Sequence, residues 1–183
     1  MAWVEGMNNR FVVIMAGGRG ERFWPQSRLT RPKHLLPIVG DSAMLAQTVD
    51  RLEGLVPPEN IFVITNQAQA AAVSKQLPRL PKDNVVAEPC GRDTCPAVAL
   101  AAALVGARST TGTMAILPAD HVIPEKSVKK FQRNLKESFD LAERGQAIVT
   151  IGIKPTSPET GYGYIKMGDP LPPPKDRKAY KST

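Results

Sequence analysis

Cysteine and histidine are scarce in this chain: its 183 residues include only Cys90, Cys95, His34 and His121 of these two kinds. That supply supports neither a disulfide scaffold nor a four-ligand zinc site, and both thiols read as reduced. Aromatic residues make up 5% and are not interleaved with basic ones, so the net charge of +7 does not mark a nucleic-acid binder. An anionic small substrate accounts for the charge equally well. No apolar stretch reaches the length of a membrane span, and residues 1–6 lack the charged start and long apolar run of a signal peptide. No membrane association is expected, and a cytoplasmic location follows. With 42% hydrophobic residues the chain can bury a core, as one large domain or a domain with a fragment.

Two phosphate-loop signatures are also missing. The apolar run 11–16 leads into Gly17-Gly18-Arg19-Gly20-Glu21-Arg22, but no Gly-Lys-Ser/Thr follows Gly20, which excludes a Walker A loop. Phe23 fills the third glycine position of a dinucleotide fingerprint counted from Gly18. What is present is a glycine loop ending a buried strand, with Arg19, Arg22, Arg28, Arg31 and Lys33 set against one acid, Glu21. Bare backbone N–H groups and positive charge suit a triphosphate, and the glycines are expected to permit positive φ. A glycine turn with solvated arginines is the plain alternative, and Arg28 and Arg31 are expected to be solvated or helix-capping.

Beyond the loop, buried strands alternate with helices. The spacing predicts strands at 11–16, 61–64, 85–87, 114–117 and 147–153, and helices over 43–53, 66–77, 96–108 and 127–144. Such alternation implies an α/β, Rossmann-like fold, a mainly parallel sheet with helices on both faces, with ligands at the carboxyl ends of the strands.

Four motifs fall at those ends. They are the glycine loop with the following Arg31-Pro32-Lys33, then Glu88-Pro89-Cys90-Gly91-Arg92-Asp93-Thr94, Leu117-Pro118-Ala119-Asp120-His121, and Pro158-Glu159-Thr160-Gly161-Tyr162-Gly163-Tyr164-Ile165. In this order they resemble the sugar-phosphate nucleotidyltransferases, and within them the mannose-1-phosphate guanylyltransferases. Those share the patterns A-G-G-x-G-x-R-x-W-P-x-S-R, P-K-Q, E-P-x-G-R-N-T-A-P-A, L-P-A-D-H and P-E-T-G-Y-G-Y-I. The resemblance covers residues 11–165. It implies the nucleotide-diphospho-sugar transferase fold and an enzyme that transfers a guanylyl group from GTP to mannose 1-phosphate, with Mg²⁺ as cofactor and pyrophosphate as second product. The sugar phosphate would attack the α-phosphate in line.

By this resemblance the backbone of Ala16, Gly17, Gly18, Arg19 and Gly20 holds the triphosphate together with Arg22, Lys33 stabilises charge at the α-phosphate, and Asp120 binds the metal. Arg22, Lys33 and Asp120 are the expected catalytic set. Without the motif around it, Asp120 reads more readily as a helix N-cap; His121 is not assigned as a ligand. Glu88, Gly91, Arg92, Asp93 and Thr94 are expected beside the base, where a carboxylate of Glu88 or Asp93 would accept from guanine N1–H and N2–H₂. Capping of the next helix by Asp93 or Thr94 is the alternative. Gly161, Tyr162 and Gly163 are expected against the sugar, with an ordinary β-turn as the alternative. The chain departs from the family pattern at Arg19, His34, Asp93 and Cys95, where relatives commonly carry Ser or Thr, Gln, Asn and Ala. An ionised Asp93 cannot donate, which alters the base contact.

Residues 1–165 read as the nucleotide-binding amino-terminal part of a nucleotidyltransferase domain, and 166–183 as a proline-rich loop and the start of a further part, in which Lys178-Ala179-Tyr180-Lys181 resembles the beginning of a strand. The family's E-K-P and N-S-G motifs and its second metal carboxylate do not occur here. The chain is therefore expected to be part of a longer enzyme, its fold incomplete at the carboxyl end, and oligomerisation is left open. Two rivals stand beside this reading. One is another sugar-1-phosphate nucleotidyltransferase using UTP or dTTP and glucose 1-phosphate, disfavoured by Trp24-Pro25 and by Gly91-Arg92-Asp93-Thr94. The other is a non-catalytic nucleotide-binding subunit.

Overall fold

Four of the five apolar runs become strands of one parallel sheet, in a computed structural model that describes residues 9–18, 23–29, 31–145, 147–171 and 179–182. The strands β1 (Arg10–Met15), β2 (Ile61–Asn66), β3 (Val85–Glu88) and β4 (Thr113–Pro118) lie in the order β3-β2-β1-β4. β1 is central, with Val13 paired to Phe62 on one side and to Ile116 on the other.

Alternation along β1 divides the interior in two. Val12 and Ile14 belong to a cluster with Leu45 and Val49 of α1 (Met44–Asp50), Val73 of α2 (Ala70–Gln76), and Leu135 and Phe139 of α4 (Glu125–Gly145). Phe11 and Val13 instead join Phe62, Ile64 and two residues of α3 (Thr94–Arg108), Ala101 and Val105. Each fully buried Val, Leu, Ile or Phe contributes about 1.5–3 kcal/mol. Local chemistry sets the helix positions. The Asn66 side-chain oxygen accepts from the Gln69 N–H at 3.1 Å just before α2. Arg10 ties β1 to the end of α4 through Asp140 and Glu143, both at 2.7 Å, with its guanidinium over the Phe139 ring.

The fifth run forms no strand. Residues 147–153 have no ladder partner among the described residues, and Ile148 and Ile153 are 101% and 79% exposed. Alternating apolar residues supply a face that could be buried, but a strand also needs an edge in register, and nothing described pairs with this segment.

The chain divides into two units, Met1–Val149 and Thr150–Thr183. In the second, β5 (Met167–Pro170) pairs antiparallel with β6 (Tyr180–Ser182). β6 lies where the sequence predicts the start of a strand, whereas Met167-Gly168-Asp169-Pro170 carries no alternation that would announce β5. Among the described residues no helix is long and apolar enough to cross a membrane.

Candidate active site

Because the four strands are parallel, Met15, Asn66, Glu88 and Pro118 all end at one edge of the sheet. The start of the glycine loop is fastened there by β2: the Ala16 N–H donates to the Ile64 carbonyl at 2.7 Å, and Thr65 Oγ1 and Asn66 Nδ2 donate to the carbonyls of Ala16 and Gly17 at 2.9 and 3.3 Å. Glu88 reaches over this loop. A Cβ on Gly17 would lie 2.8 Å from Glu88 Oε1, and one on Gly91 would lie 3.6 Å from the same oxygen. A side chain at position 17 would displace the Glu88 carboxylate from the loop. The expected positive φ does not occur at Gly17 or Gly18, and Gly18 has open space where a Cβ would be. Arg19, Gly20 and Arg22 lie outside the described residues.

Arg92, Asp93 and Thr94 are exposed at the head of α3. Asp93 occupies the N-cap position, but its side chain makes no capping hydrogen bond, which removes the capping alternative for this residue. Its φ of 63° and ψ of −162° fall in a region essentially reserved for glycine, costing about 1–3 kcal/mol. The carboxylate is therefore held at the helix head and left without a structural role there. Cys90 and Cys95, in the same segment, are free and exposed.

Lys33 opens a single 3-10 turn, Lys33–Leu35, anchored by α2 and the residue before it: Gln69 Nε2 donates to the Leu29 carbonyl at 3.2 Å and Gln76 Nε2 to that of Leu35 at 3.3 Å. The Lys33 ammonium lies 3.2 Å from Asp120 Oδ2 and 4.4 Å from the centre of the Phe23 ring. Asp120 is not a helix cap, since α4 begins only at Glu125. Its segment is braced from below. The Ala119 N–H donates to the Met15 carbonyl at 3.1 Å, and Arg51 Nη2 donates to the His121 carbonyl at 3.0 Å and to Thr48 Oγ1 at 2.8 Å. Arg51 Nε donates to the Gln47 carbonyl at 2.8 Å. Arg51 is buried, and among the described residues no carboxylate stands within ion-pair distance of it; burial lowers its pKa, with the Asp50 charge opposing. Sequence reasoning missed Arg51 and Thr48, whose only signal is a pair of polar residues within the predicted helix 43–53.

His34 is 4% exposed, and its Nε2 has no hydrogen-bond partner among the described residues. Burial pushes its pKa down to about 4, with the Asp120 carboxylate acting in the opposite sense. His121 enters the site only through its backbone carbonyl. Arg28 donates to the carbonyls of Pro25 and Ser27 and lies over the Trp24 ring, so it serves the loop's own backbone and is not simply solvated.

In the second unit, the Gly161 and Tyr162 N–H groups donate to the side chain and the carbonyl of Glu159 at 3.2 and 3.3 Å. The Tyr164 hydroxyl accepts from the Glu159 N–H at 2.7 Å and donates to its carbonyl at 3.2 Å. This turn, with Pro155, Ser157 and the rings of Tyr162 and Tyr164, lines an open cavity of about 470 Å³.

Asp120 can hold a metal only of a particular kind. Among the described residues no three His, Cys, Asp or Glu side chains gather into a closed cage. A single carboxylate, half exposed to solvent and already facing a cationic ammonium, fits Mg²⁺, which takes one or two carboxylates and completes its shell with water and substrate phosphates.

Mannose-1-phosphate guanylyltransferase of Salmonella typhimurium is 42% identical to this chain over 176 residues, which is 93% of this chain and 36% of that protein. The enzyme of the same name from Escherichia coli K12 is 41% identical over 175 residues. The chain spans about a third of the length of these curated relatives. The solved structure of mannose-1-phosphate geranyltransferase from Thermus thermophilus matches with a TM-score of 0.75 at 38% identity, over 87% of this chain and 46% of that one. Residues 11–177 match the nucleotidyl transferase family, and with a parallel sheet that gathers the first three of its motifs at one edge, the chain belongs to that family.

Proposed function

We propose that the protein carrying this chain transfers the guanylyl group of GTP to mannose 1-phosphate, yielding GDP-mannose and pyrophosphate. The observation that carries this reading is the meeting of Lys33 and Asp120 at the strand ends that also bring Glu88 against Gly17. An oxygen of the sugar phosphate bonds to the α-phosphorus as the bond to the β-phosphate oxygen breaks, and pyrophosphate leaves. Positioning and charge neutralisation account for most of such a transfer. Lys33 stabilises negative charge on the α-phosphate, the Gly17–Gly18 backbone receives the triphosphate, and Glu88 or Asp93 accepts from guanine N1–H and N2–H₂. Arg22, Arg19 and Gly20 are assigned to the triphosphate by their motif alone. Asp120 would hold Mg²⁺, which supplies neutralisation of phosphate charge when bound. Gly161, Tyr162 and Gly163 are assigned to the mannose ring, and the free thiols suit a reducing cytoplasm.

Pyrophosphate release from the natural full-length protein tests the reading, with GTP and mannose 1-phosphate compared against UTP or dTTP and glucose 1-phosphate. Turnover restricted to the first pair is expected. Faster release with UTP or dTTP would overturn the guanylyl assignment, and GTP binding without turnover would favour a nucleotide-binding subunit.

A further inference from the structure

Lys33 and Asp120 are each other's counter-ion before any ligand is present, 3.2 Å apart, with side chains 25% and 45% exposed. Among the described residues Asp120 has no other cation in ion-pair range, and the Lys33 ammonium has no other anion. We infer that this pair is a filter for the cation-loaded nucleotide: Lys33 and Asp120 exchange partners on binding, and a bare triphosphate cannot make them do so. The inference rests on the proposed roles of both residues in nucleotide transfer.

The physics of the exchange follows from the contacts. A partly solvated, single-contact ion pair is weak, so separating it costs little if each charge finds a new partner. Lys33 finds one in the α-phosphate, and the Phe23 ring, 4.4 Å from the ammonium, holds it near its place after Asp120 lets go. Asp120 finds one only if a divalent cation arrives with the nucleotide. A metal-free triphosphate would leave the carboxylate facing phosphate oxygens with its lysine withdrawn, and like charges at that range repel. Lys33 therefore stays on Asp120, and the bare nucleotide binds poorly.

The test is GTP affinity measured by equilibrium titration in EDTA and in excess Mg²⁺, on the natural full-length protein, Asp120→Asn and Lys33→Met. In EDTA, Asp120→Asn should tighten GTP binding by about fivefold by freeing Lys33 for the phosphates, and the side-chain ¹⁵N signal that Lys33→Met removes should shift on adding GTP to Asp120→Asn but not to the natural protein. In Mg²⁺ the same substitution should weaken binding. A gain of affinity cannot arise from a misfolded variant. A Lys33 signal that shifts with GTP in EDTA while Asp120 is present, with the Mg²⁺ effect intact, would overturn the exchange alone, because Asp120 would then merely repel the nucleotide. Unchanged Mg²⁺–GTP affinity in Asp120→Asn would instead remove Asp120 from the cation site and the proposed mechanism with it.

Discussion

At the proposed reacting end of the site, Lys33 and Asp120 stand on segments held by Thr48 of α1, Arg51 just after it, Gln69 just before α2 and Gln76 at its end. At the proposed base end, residues 89–93 form an exposed loop, and Asp93 holds a costly backbone conformation without even a capping bond. One end is pre-organised by buried polar networks, and the other keeps its carboxylates available. The difference would suit the proposed phosphoryl transfer, in which misplacement of reacting groups costs far more than adjustment around a base.

The comparison breaks most readily at Lys33. Lys33→Ala should lower turnover roughly 10²–10³-fold while GTP affinity changes little, measured as kcat against the GTP dissociation constant. Equal losses in both would assign Lys33 to uniform binding. His34, buried next to it, should make stability depend on pH. The unfolded chain takes up a proton near pH 6.5, the folded imidazole only near 4, so stability is full above 6.5 and falls as pH drops toward 4. The loss is up to about 3 kcal/mol from this group, and His34→Gln should remove that share of the slope in denaturant titrations from pH 7 to pH 4. Arg51→Met should cost about 2 kcal/mol of stability by leaving buried acceptors unpaired. It should also raise the Mg²⁺ concentration needed for half-maximal activity, whereas an ordinary packing loss would leave that concentration unchanged. The smallest effect is expected at the base end. Asp93→Gly should raise stability by about 1 kcal/mol by relieving backbone strain, and if Asp93 reads guanine it should also narrow the preference for GTP over ATP in competition binding.

Much of this arrangement was legible in the chain itself. Apolar runs separated by proline and glycine marked four strands, and the 3.6-residue spacing of Phe131, Leu135 and Phe139 marked α4. That the segments carrying Lys33 and Asp120, 87 residues apart, lie at one edge followed from the rule that parallel strands collect their loops there. Other features were hidden. The run at 147–153 has the composition of a strand and forms none, because pairing depends on a partner that composition does not reveal. Gly17 reads as a conformational glycine, yet its φ is not positive and what a side chain there would meet is the Glu88 carboxylate, a neighbour that only the three-dimensional structure shows.

The sequence by itself determined the alternating architecture, the order of the motifs and the edge at which the first three meet, since periodicity and chain direction are local properties. Tertiary structure alone decided that Asp93 makes no capping bond, that His34 is buried with a nitrogen no described residue satisfies, that Arg51 braces the Asp120 segment, and that Lys33 rests on Asp120. Those outcomes depend on which distant side chains share a low-dielectric space, and hydrogen bonds and charges gain or lose their worth only when that space is assembled.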